Sequence, residues 1–352
     1  MMGKTRLGVI FGGKSSEHEV SCVSAKNVMQ MADKDKFEIV CIGIDRDGKW
    51  LHYKGEPEDI EIDKWQENTE PIELLKLKEI IDFAFPVLHG MYGEDGTIQG
   101  LFEMLDIPYA GCGVLASSLC MDKGMAKEIF VRYGIPTCRY RNVTKEKFLK
   151  NPEKTVDDLK KHFSGAMFVK PSNLGSSVGI SRAETKEELM EALKLAVKYD
   201  RRIIVEEAID AREVEVAVTG NDELDTGYVG EIEIVSQFYD YEAKYSEDSG
   251  TKLNIPANLD EGTADKIVKY AHRAYRALDC AGFARLDFFV ERGTGRILIN
   301  EINTIPGFTK YSMFPVMFEK KGLPNNELIE RIVNLGYERY NDKNNRETTH
   351  RG

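Results

Sequence analysis

Acidic residues lie inside two short apolar segments near the C-terminal end of the chain. The apolar runs 288–290 and 297–299 flank the glycine-containing turn 293–295, a pattern that predicts a β-hairpin. If the hairpin turns at the middle of 293–295, Asp287 and Glu301 lie directly opposite each other, with Cβ atoms about 5 Å apart. An acid within such a strand needs a partner. The fold must therefore supply a compensating charge, unless this hairpin is a solvated surface element.

Asn303 follows Glu301 by two residues, so the pleat of the strand directs both side chains to one face. Two carboxylates and an amide oxygen are the hard oxygen ligands that Mg²⁺ prefers, and Mg²⁺ keeps positions open for phosphate oxygens. The alternative is a hairpin with incidental acids. We predict a metal site at Asp287, Glu301 and Asn303.

The bulk properties favour a multidomain soluble protein. A chain of 352 residues exceeds one ordinary core and predicts two or three domains. The net charge of -11 argues against nucleic acid as a partner. The six cysteines are scattered without metal-ligand spacing, which favours reduced thiols. With no signal-peptide pattern and no long apolar run, we expect a cytoplasmic protein that does not enter a membrane.

Strands and helices alternate in the first part of the chain. The predicted elements are strands at 7–11, 39–44 and 80–85 and helices at 21–31 and 97–105. This alternation predicts a parallel, doubly wound sheet. Residues 46–78 are charged and weakly periodic, and we interpret them as an embellishment of that domain.

A helix is predicted at 122–133, and from Met167 onward the pattern becomes α+β. Its predicted elements are strands ending at Lys170 and at 202–206, β segments at 213–219 and 226–234, and helices at 186–197 and 260–278. Residues 238–258 are polar, contain glycine and proline and show no period, as is typical of a functional loop such as a lid. The tail 341–352 is predicted to be disordered.

A glycine- and serine-rich loop, 171–179, follows the strand that ends at Lys170. Its backbone N–H groups and the hydroxyls of Ser176 and Ser177 could surround phosphate oxygens, with Lys170 adding positive charge. The loop does not match the P-loop motif, and a plain connector is the alternative. Glu206 and Glu213 are either acceptors for ribose hydroxyls or solvated acids.

Two turns nearer the N-terminus are candidate substrate sites. Gly12 and Gly13 let the backbone approach a ligand before a helix begins. Glu17 at this position suits an ammonium group better than a phosphate, although helix capping is the alternative. His89 lies just beyond a strand, where open α/β sheets bind ligands, and could orient a substrate, move a proton or be structural.

Six motifs occur in order along the chain. They are EHEVS at 17–21, HGMYGEDG at 89–96, MDK at 121–123, KPSNLGSSVG at 170–179, FYDYEAKY at 238–245 and NEINT at 300–304. Together they resemble the D-alanine–D-alanine ligases, ATP-grasp enzymes of peptidoglycan precursor synthesis, from about Leu7 to Tyr340. The resemblance implies an α/β protein with an ATP-grasp fold, in which two α+β subdomains grip ATP, preceded by a Rossmann-like, doubly wound N-terminal domain.

The resemblance also implies domain limits and residue roles. The implied domains are an N-terminal substrate domain at 1–117, a central ATP-grasp subdomain at 118–206, a C-terminal subdomain at 207–340 with the lid 238–258 and the metal site, and the tail 341–352.

The implied ATP-binding residues are Lys123, Lys170, Ser176, Ser177, Glu206 near adenine, Glu213 at the ribose, Lys244 and Asn300. The implied ligands of two Mg²⁺ or Mn²⁺ ions are Asp287, Glu301 and Asn303. The implied D-alanine-binding residues are Glu17, Val20, His89, Arg285, Gly307, Ser312 and Met313. The implied catalytic residues are Glu17, His89, Ser176, Tyr245 and Arg285.

The implied reaction has two steps. One D-alanine carboxylate attacks the γ-phosphate of ATP to give an acyl phosphate, and the amine of a second D-alanine then attacks that carbonyl and expels phosphate. The magnesium ions and three lysines would neutralise the phosphate charge, Arg285 would face the oxyanion, and the lid would exclude water. The implied partners are ATP and D-alanine, with a cytoplasmic homodimer serving cell-wall synthesis and cell shape.

Three alternatives remain at this point. Related ligases use D-serine or D-lactate as the second substrate. This chain has Lys310-Tyr311 where the sequence Ser-His is usual, but its Met313 stands where D-serine enzymes tend to have arginine. The lid motif at 242–245 is lacking in D-lactate enzymes. A nucleotide-binding regulator without turnover is the third alternative, against which the retained metal and phosphate positions argue. The absence of GxGxxG at 11–16 argues against an oxidoreductase.

Overall fold

The computed structural model describes residues 3–175, 178–234 and 251–347 of the chain. Within these ranges the strands form three sheets, of five, five and four strands. None of the helices in these ranges combines the length and the apolar character that a membrane span requires.

The first sheet is built from the N-terminal part of the chain. Its elements in order are β1 (Thr5–Gly12), α1 (His18–Met31), β2 (Phe37–Ile44), β3 (Trp50–Tyr53), α2 (Pro57–Glu61), β4 (Thr69–Pro71), α3 (Leu77–Ile80), β5 (Phe83–Pro86) and α4 (Thr97–Leu105), with short 3-10 helices at Trp65–Asn68 and Leu74–Lys76. The strand order is β4-β3-β2-β1-β5, in which β2, β1 and β5 are parallel and β3 and β4 are antiparallel.

Both faces of this sheet are covered, because side chains alternate along β1. Leu7 and Val9 lie in a hydrophobic cluster with residues of α1, whereas Ile10 lies in a second cluster with Ile98 and Phe102 of α4. A strand buried on both faces is typical of a sheet with helices on each side. The predicted doubly wound N-terminal domain is therefore confirmed.

The segment 46–78 is more than an embellishment of that domain. Its strands β3 and β4 extend the sheet, and Trp65 is fully buried. The Trp65 ring meets Phe11 edge-on with ring centroids 5.1 Å apart, and a side chain at Gly43 would clash with it. The segment thus contributes to the core, which its charged surface residues concealed.

The middle of the chain forms the four-stranded sheet. Its elements are α5 (Val114–Met121), α6 (Lys123–Arg132), β6 (Tyr140–Thr144), α7 (Lys145–Lys150), α8 (Pro152–His162), β7 (Met167–Pro171), β8 (Ser181–Ala183), α9 (Lys186–Tyr199) and β9 (Arg202–Glu207). The antiparallel order is β6-β9-β7-β8, and α8 and α9 pack against it. We did not predict α5, β6, α7, α8 or β8 from the sequence.

The third unit carries the acidic hairpin. Its elements are β10 (Ala211–Gly220), β11 (Leu224–Ile234), β12 (Thr251–Asn254), α10 (Glu261–Ala277), β13 (Phe283–Glu291), β14 (Ile297–Asn303), α11 (Met313–Lys320) and α12 (Asn325–Asn344). The antiparallel order is β12-β11-β10-β13-β14. Residues of α10 cluster with Val214 and Val216 of β10, and residues of α11 cluster with Ala217 on the other face.

Two predictions about irregular segments need correction. The loop prediction for 238–258 is wrong at 251–254, because β12 pairs there with β11 and places Leu253 opposite Ile232. The disordered tail predicted from Asn341 is wrong at its start, because α12 continues to Asn344. The last turns of α12 are held in place: the Tyr340 hydroxyl donates to Asp106 Oδ1 over 2.9 Å.

Candidate active site

A cavity between the N-terminal unit and the C-terminal sheet contains most of the predicted site residues. Those that line it are Glu17, His89, Lys123, Glu213, Arg285, Asp287, Asn300, Glu301, Asn303, Gly307, Ser312 and Met313. These residues come from the start of α1, the loop after β5, the start of α6, strand β10, the acidic hairpin, and the segment that leads into α11. Segments that are distant in sequence therefore converge on one space.

Some predicted residues lie elsewhere. Three of them do not line this cavity. Val20 is buried in α1, whereas Lys170 and Glu206 form an ion pair with each other. Ser176, Ser177, Lys244 and Tyr245, with lid residues 238–250, fall outside the residues that the structure describes, so their predicted roles stay predictions.

The acidic hairpin has the predicted pairing. Asp287 of β13 lies opposite Glu301 of β14, with a bulge immediately after Asp287. The Asn303 amide donates to Asp287 Oδ2 over 3.0 Å, which brings the third predicted ligand to the same face. All three side chains are partly exposed to the cavity. This set of oxygen donors, without sulfur or imidazole, suits Mg²⁺ or Mn²⁺.

Basic side chains contact these carboxylates. Lys123 Nζ lies 3.1 Å from Glu301 Oε2 and donates to the Leu174 carbonyl over 3.0 Å. Burial by itself lowers the pKa of Lys123, but Glu301 and other nearby carboxylates outweigh that effect and raise the pKa above its usual value. Arg285 donates two hydrogen bonds of 2.8 Å to the carboxylate of Asp287. Positive charge is thus already concentrated beside these carboxylates, where it could neutralise the charge of a bound phosphate group.

A buried ion-pair network lies behind the cavity. Glu206 Oε1 is 2.9 Å from Lys127 Nζ, and its Oε2 is 2.7 Å from Lys170 Nζ. Lys127 also donates to the Asn300 carbonyl over 3.2 Å, so α6 is joined to both β9 and β14. Burial raises the pKa of Glu206, but the two lysines outweigh it and hold the pKa well below its usual range. Glu206 is therefore a carboxylate held between two cations.

His89 is held by the protein at both ring nitrogens. Its Nδ1 lies 2.9 Å from the Ile305 carbonyl oxygen and its Nε2 lies 2.9 Å from the hydroxyl of Ser24. Because a carbonyl can only accept, Nδ1 carries the hydrogen and Nε2 accepts from Ser24. Burial lowers the pKa of His89 although the charge of Glu17 opposes this. Burial therefore favours the neutral ring, and its two contacts fix the loop at Ile305, so that proton transfer would require breaking one of them.

The candidate site for an ammonium group is narrow. Glu17 is largely buried, and its Oε1 lies so close to Gly90 and Gly175 that a Cβ at either position would come within 3 Å of it. These two glycines keep space for the carboxylate where two loops meet. At the other end of the cavity, Ser312 and Met313 form the N-terminus of α11, which favours a negatively charged group.

Glu94 lines the cavity, and we did not predict it as a site residue. Its two carboxylate oxygens accept from the backbone N–H groups of Gly90, over 3.0 Å, and Ile305, over 3.3 Å. It thereby joins the N-terminal unit to the loop after β14. Burial, together with the charge of Glu17, raises the pKa of Glu94 to about 8.

The raised pKa of Glu94 predicts a pH-dependent stability. The folded protein binds the proton of Glu94 more tightly than the unfolded chain does. The contribution of this proton to the free energy of unfolding is therefore complete below the pKa that Glu94 has in the unfolded chain, and it decreases as the pH rises toward 8. Each pKa unit corresponds to about 1.4 kcal/mol, so we expect the wild-type protein to lose roughly 1–3 kcal/mol relative to Glu94→Gln between pH 5.5 and 8. Urea unfolding of both proteins across this range measures the difference. Parallel pH profiles would contradict the assignment.

Two other missed residues had a signal in the sequence. Glu215 follows Glu213 by two positions, so both project from the same face of β10, and Glu215 also lines the cavity. Lys127 follows Lys123 by four positions on α6 and thus lies on the same side of that helix. The periodicity of their own strand or helix would have identified both as neighbours of predicted residues.

Comparison with known proteins gives the family. The family model described as D-ala D-ala ligase N-terminus matches residues 6–112, and the model described as D-ala D-ala ligase C-terminus matches residues 129–334. The chain is 47% identical to the D-alanine–D-alanine ligase of Acetivibrio thermocellus, covering 97% of this chain and 98% of that protein.

Solved structures agree in fold. The VanG D-Ala:D-Ser ligase from Enterococcus faecalis is 40% identical, with a TM-score of 0.85, covering 95% of this chain and 100% of that one. The D-alanine–D-alanine ligase from Bacillus anthracis complexed with ATP is 30% identical, with a TM-score of 0.75, covering 97% and 99%. The predicted ATP-grasp fold is confirmed, and the chain belongs to the D-alanine–D-alanine ligase family.

Proposed function

We propose that the chain joins two molecules of D-alanine into D-alanyl-D-alanine for peptidoglycan precursor synthesis, converting ATP to ADP and phosphate. The observation that carries the proposal is the convergence in one cavity of Glu17, Arg285 and the oxygen row Asp287, Glu301 and Asn303. An ATP-dependent amino-acid ligase requires these groups: a carboxylate that binds an ammonium group, a guanidinium, and a set of metal ligands.

In the first step, the carboxylate of one D-alanine attacks the γ-phosphate of ATP, and ADP leaves. We propose that Glu17 binds the ammonium group of this D-alanine and that Arg285 lies over its carboxylate. Lys123, Lys170 and Lys244 would bind phosphate oxygens, Asn300 would lie at the nucleotide, and Glu213 would accept hydrogen bonds from the ribose hydroxyls. Phosphoryl transfer depends mainly on positioning and on charge neutralisation, which these groups would supply.

Asp287, Glu301 and Asn303 would hold two Mg²⁺ or Mn²⁺ ions. When bound, such ions neutralise negative charge on the phosphate groups of ATP. The pairing of Asp287 with Glu301 across two strands and the bond from Asn303 to Asp287 support this assignment.

In the second step, the amine of the second D-alanine attacks the acyl phosphate carbon, and phosphate leaves from the tetrahedral intermediate. Arg285 would stabilise the oxyanion of that intermediate, because a fixed cation in a water-excluded site favours the charge that develops there. Gly307, Ser312 and the backbone of Met313 would bind the carboxylate of the second D-alanine. Closure of the lid, which carries Tyr245, over Ser176 and Glu17 would protect the acyl phosphate from water.

The second candidate function is ligation of D-alanine to D-serine, which the similarity to the VanG ligase favours. Met313 argues for D-alanine, because it is buried, lines the cavity and packs its Cε against Gly230. An apolar wall gains from a methyl group and rejects an added hydroxyl only weakly, by about a hundredfold at most. We therefore propose D-alanine as the preferred acceptor, with D-serine used poorly.

Competition between D-alanine and D-serine at equal concentrations tests this preference. Phosphate release with ATP and D-alanine alone establishes the basic reaction, and separation of the dipeptides then counts each product. We expect D-alanyl-D-alanine to dominate, and D-lactate to be a still poorer acceptor at neutral pH because a hydroxyl is the weaker nucleophile. A majority of D-alanyl-D-serine would assign the chain to the second function.

We further propose that the enzyme is a homodimer and works in the cytoplasm. Exposed apolar side chains on neighbouring helices support an association surface: Met104 of α4 is 86% exposed and Leu115 of α5 is 58% exposed. The demand for ATP supports the cytoplasmic location.

A further inference from the structure

Three carboxylates form one row across adjacent strands of the C-terminal sheet. Glu215 of β10 lies opposite Asp287 of β13, and Asp287 lies opposite Glu301 of β14. Residues that are directly opposite project from the same face of a sheet. Glu215 therefore stands beside Asp287, on the side away from Glu301, and it lines the same cavity.

Glu215 contacts the guanidinium group of Arg285. Its Oε2 lies 2.9 Å from Arg285 Nε, and only 6% of Glu215 is exposed. Arg285 also donates two hydrogen bonds of 2.8 Å to Asp287. A single guanidinium thus serves two neighbouring carboxylates, one of which also belongs to the proposed metal site.

This double contact matters once a divalent cation binds at Asp287. Arg285 and the cation would then both act on the Asp287 carboxylate, and their positive charges would repel each other. Asp287 alone would provide one negative charge against three positive ones. Glu215 supplies a second negative charge that contacts Arg285 directly and is separated from Glu301 by the intervening strand β13.

We propose that Glu215 is a positioning residue that holds Arg285 in place while Asp287 binds the metal ion. The guanidinium would then stay directed at the oxyanion of the tetrahedral intermediate. This inference rests on the proposed function, since it takes the role of Arg285 from that reaction. Its specific content is that Glu215 acts on the chemistry through Arg285.

Glu215→Gln tests the proposal, because it removes the charge with little change of volume. We expect kcat for dipeptide formation to fall about 10- to 100-fold, which is less than the 10²–10³-fold loss typical when an oxyanion donor itself is removed. The KM for ATP should change by less than about threefold, since binding of the nucleotide does not use this contact. Glu215→Asp, which keeps the charge, should recover part of the loss and provides a folded comparison.

Glu231→Gln is the matched control. Glu231 is a similarly buried carboxylate on β11 that pairs with Arg212 at 2.6 Å. It lies opposite Val214, which packs in the cluster with α10, and Glu231 itself does not line the cavity. We expect a comparable drop in melting temperature but unchanged kcat.

A double-mutant cycle separates a role through Arg285 from a general effect. In an Arg285→Gln background, Glu215→Gln should cost less than about twofold in kcat, because residues that act through one another are not additive. Full additivity, or a Glu215→Gln enzyme with wild-type kcat, would overturn the proposal. Failure of the wild-type enzyme to form dipeptide would instead overturn the proposed function, so the two failures are distinguishable.

Discussion

Glu301→Gln is expected to remove most of the ligase activity while the protein stays folded. The substitution conserves volume and removes one charge from the oxygen row with Asp287 and Asn303. Stabilisation by a metal ion contributes several kcal/mol to phosphate chemistry, and each ~1.4 kcal/mol is tenfold in rate, so we expect a loss of about 100-fold or more. Phosphate release with D-alanine and ATP, titrated with Mg²⁺ and with Mn²⁺, measures the loss.

Glu291→Gln provides the control for this experiment. Glu291 ends the same strand β13 and pairs with Arg296 at 2.7 Å, but it does not line the cavity. We expect this variant to keep wild-type kcat and the same dependence on Mg²⁺. Circular dichroism and melting temperatures of both variants report on the fold. A Glu301→Gln enzyme with near wild-type turnover at millimolar Mg²⁺ would rule out the metal assignment.

Glu206→Gln is expected to have the largest effect on stability. Glu206 lies between Lys127, whose side chain is 1% exposed, and Lys170. Loss of its charge leaves Lys127 buried without a carboxylate, and breaking a buried pair in this way typically costs about 3–5 kcal/mol. The free energy of unfolding from urea titration, without nucleotide, measures the loss.

Lys127→Met is the informative comparison, because it removes only one of the two cations. Glu206 would keep Lys170 at 2.7 Å, so we expect a smaller loss than for Glu206→Gln. Lys127→Met combined with Glu206→Gln should be more stable than the sum of the single losses predicts. If Lys127→Met were the more damaging single change, or if Glu206→Gln cost under about 1 kcal/mol, the central role of Glu206 would be wrong.

The sequence alone predicted those features that depend on one local pattern. The pairing of Asp287 with Glu301 follows from a hairpin whose turn and alternation are both visible, and the structure confirms it. The doubly wound sheet follows from the alternation of strands and helices. Each of these predictions needs only neighbours in the chain.

Features that depend on distant partners were missed. The four-residue spacing places Lys127 beside Lys123, but it does not show that Lys127 is buried, because that burial depends on Glu206 of the distant strand β9. Glu94 is similar, since one of its two backbone donors, Ile305, lies 211 residues further along the chain, in the loop after β14. The strand β12 was missed because an edge strand is defined by its pairing with β11 rather than by its own polar composition.

The last helix of the chain completes the core of the first domain. Leu328 and Ile332 of α12 belong to the same hydrophobic cluster as Leu7 of β1, and the rings of Phe83 and Tyr337 lie 4.9 Å apart. During translation, β1 leaves the ribosome long before α12 is made. The part of this core that α12 completes therefore stays exposed until α12 has been made, although α1 already packs on the same face, and exposed apolar surface of this kind favours chaperone binding in the meantime. Synthesis of α12, rather than emergence of the first sheet, is the event that completes this core.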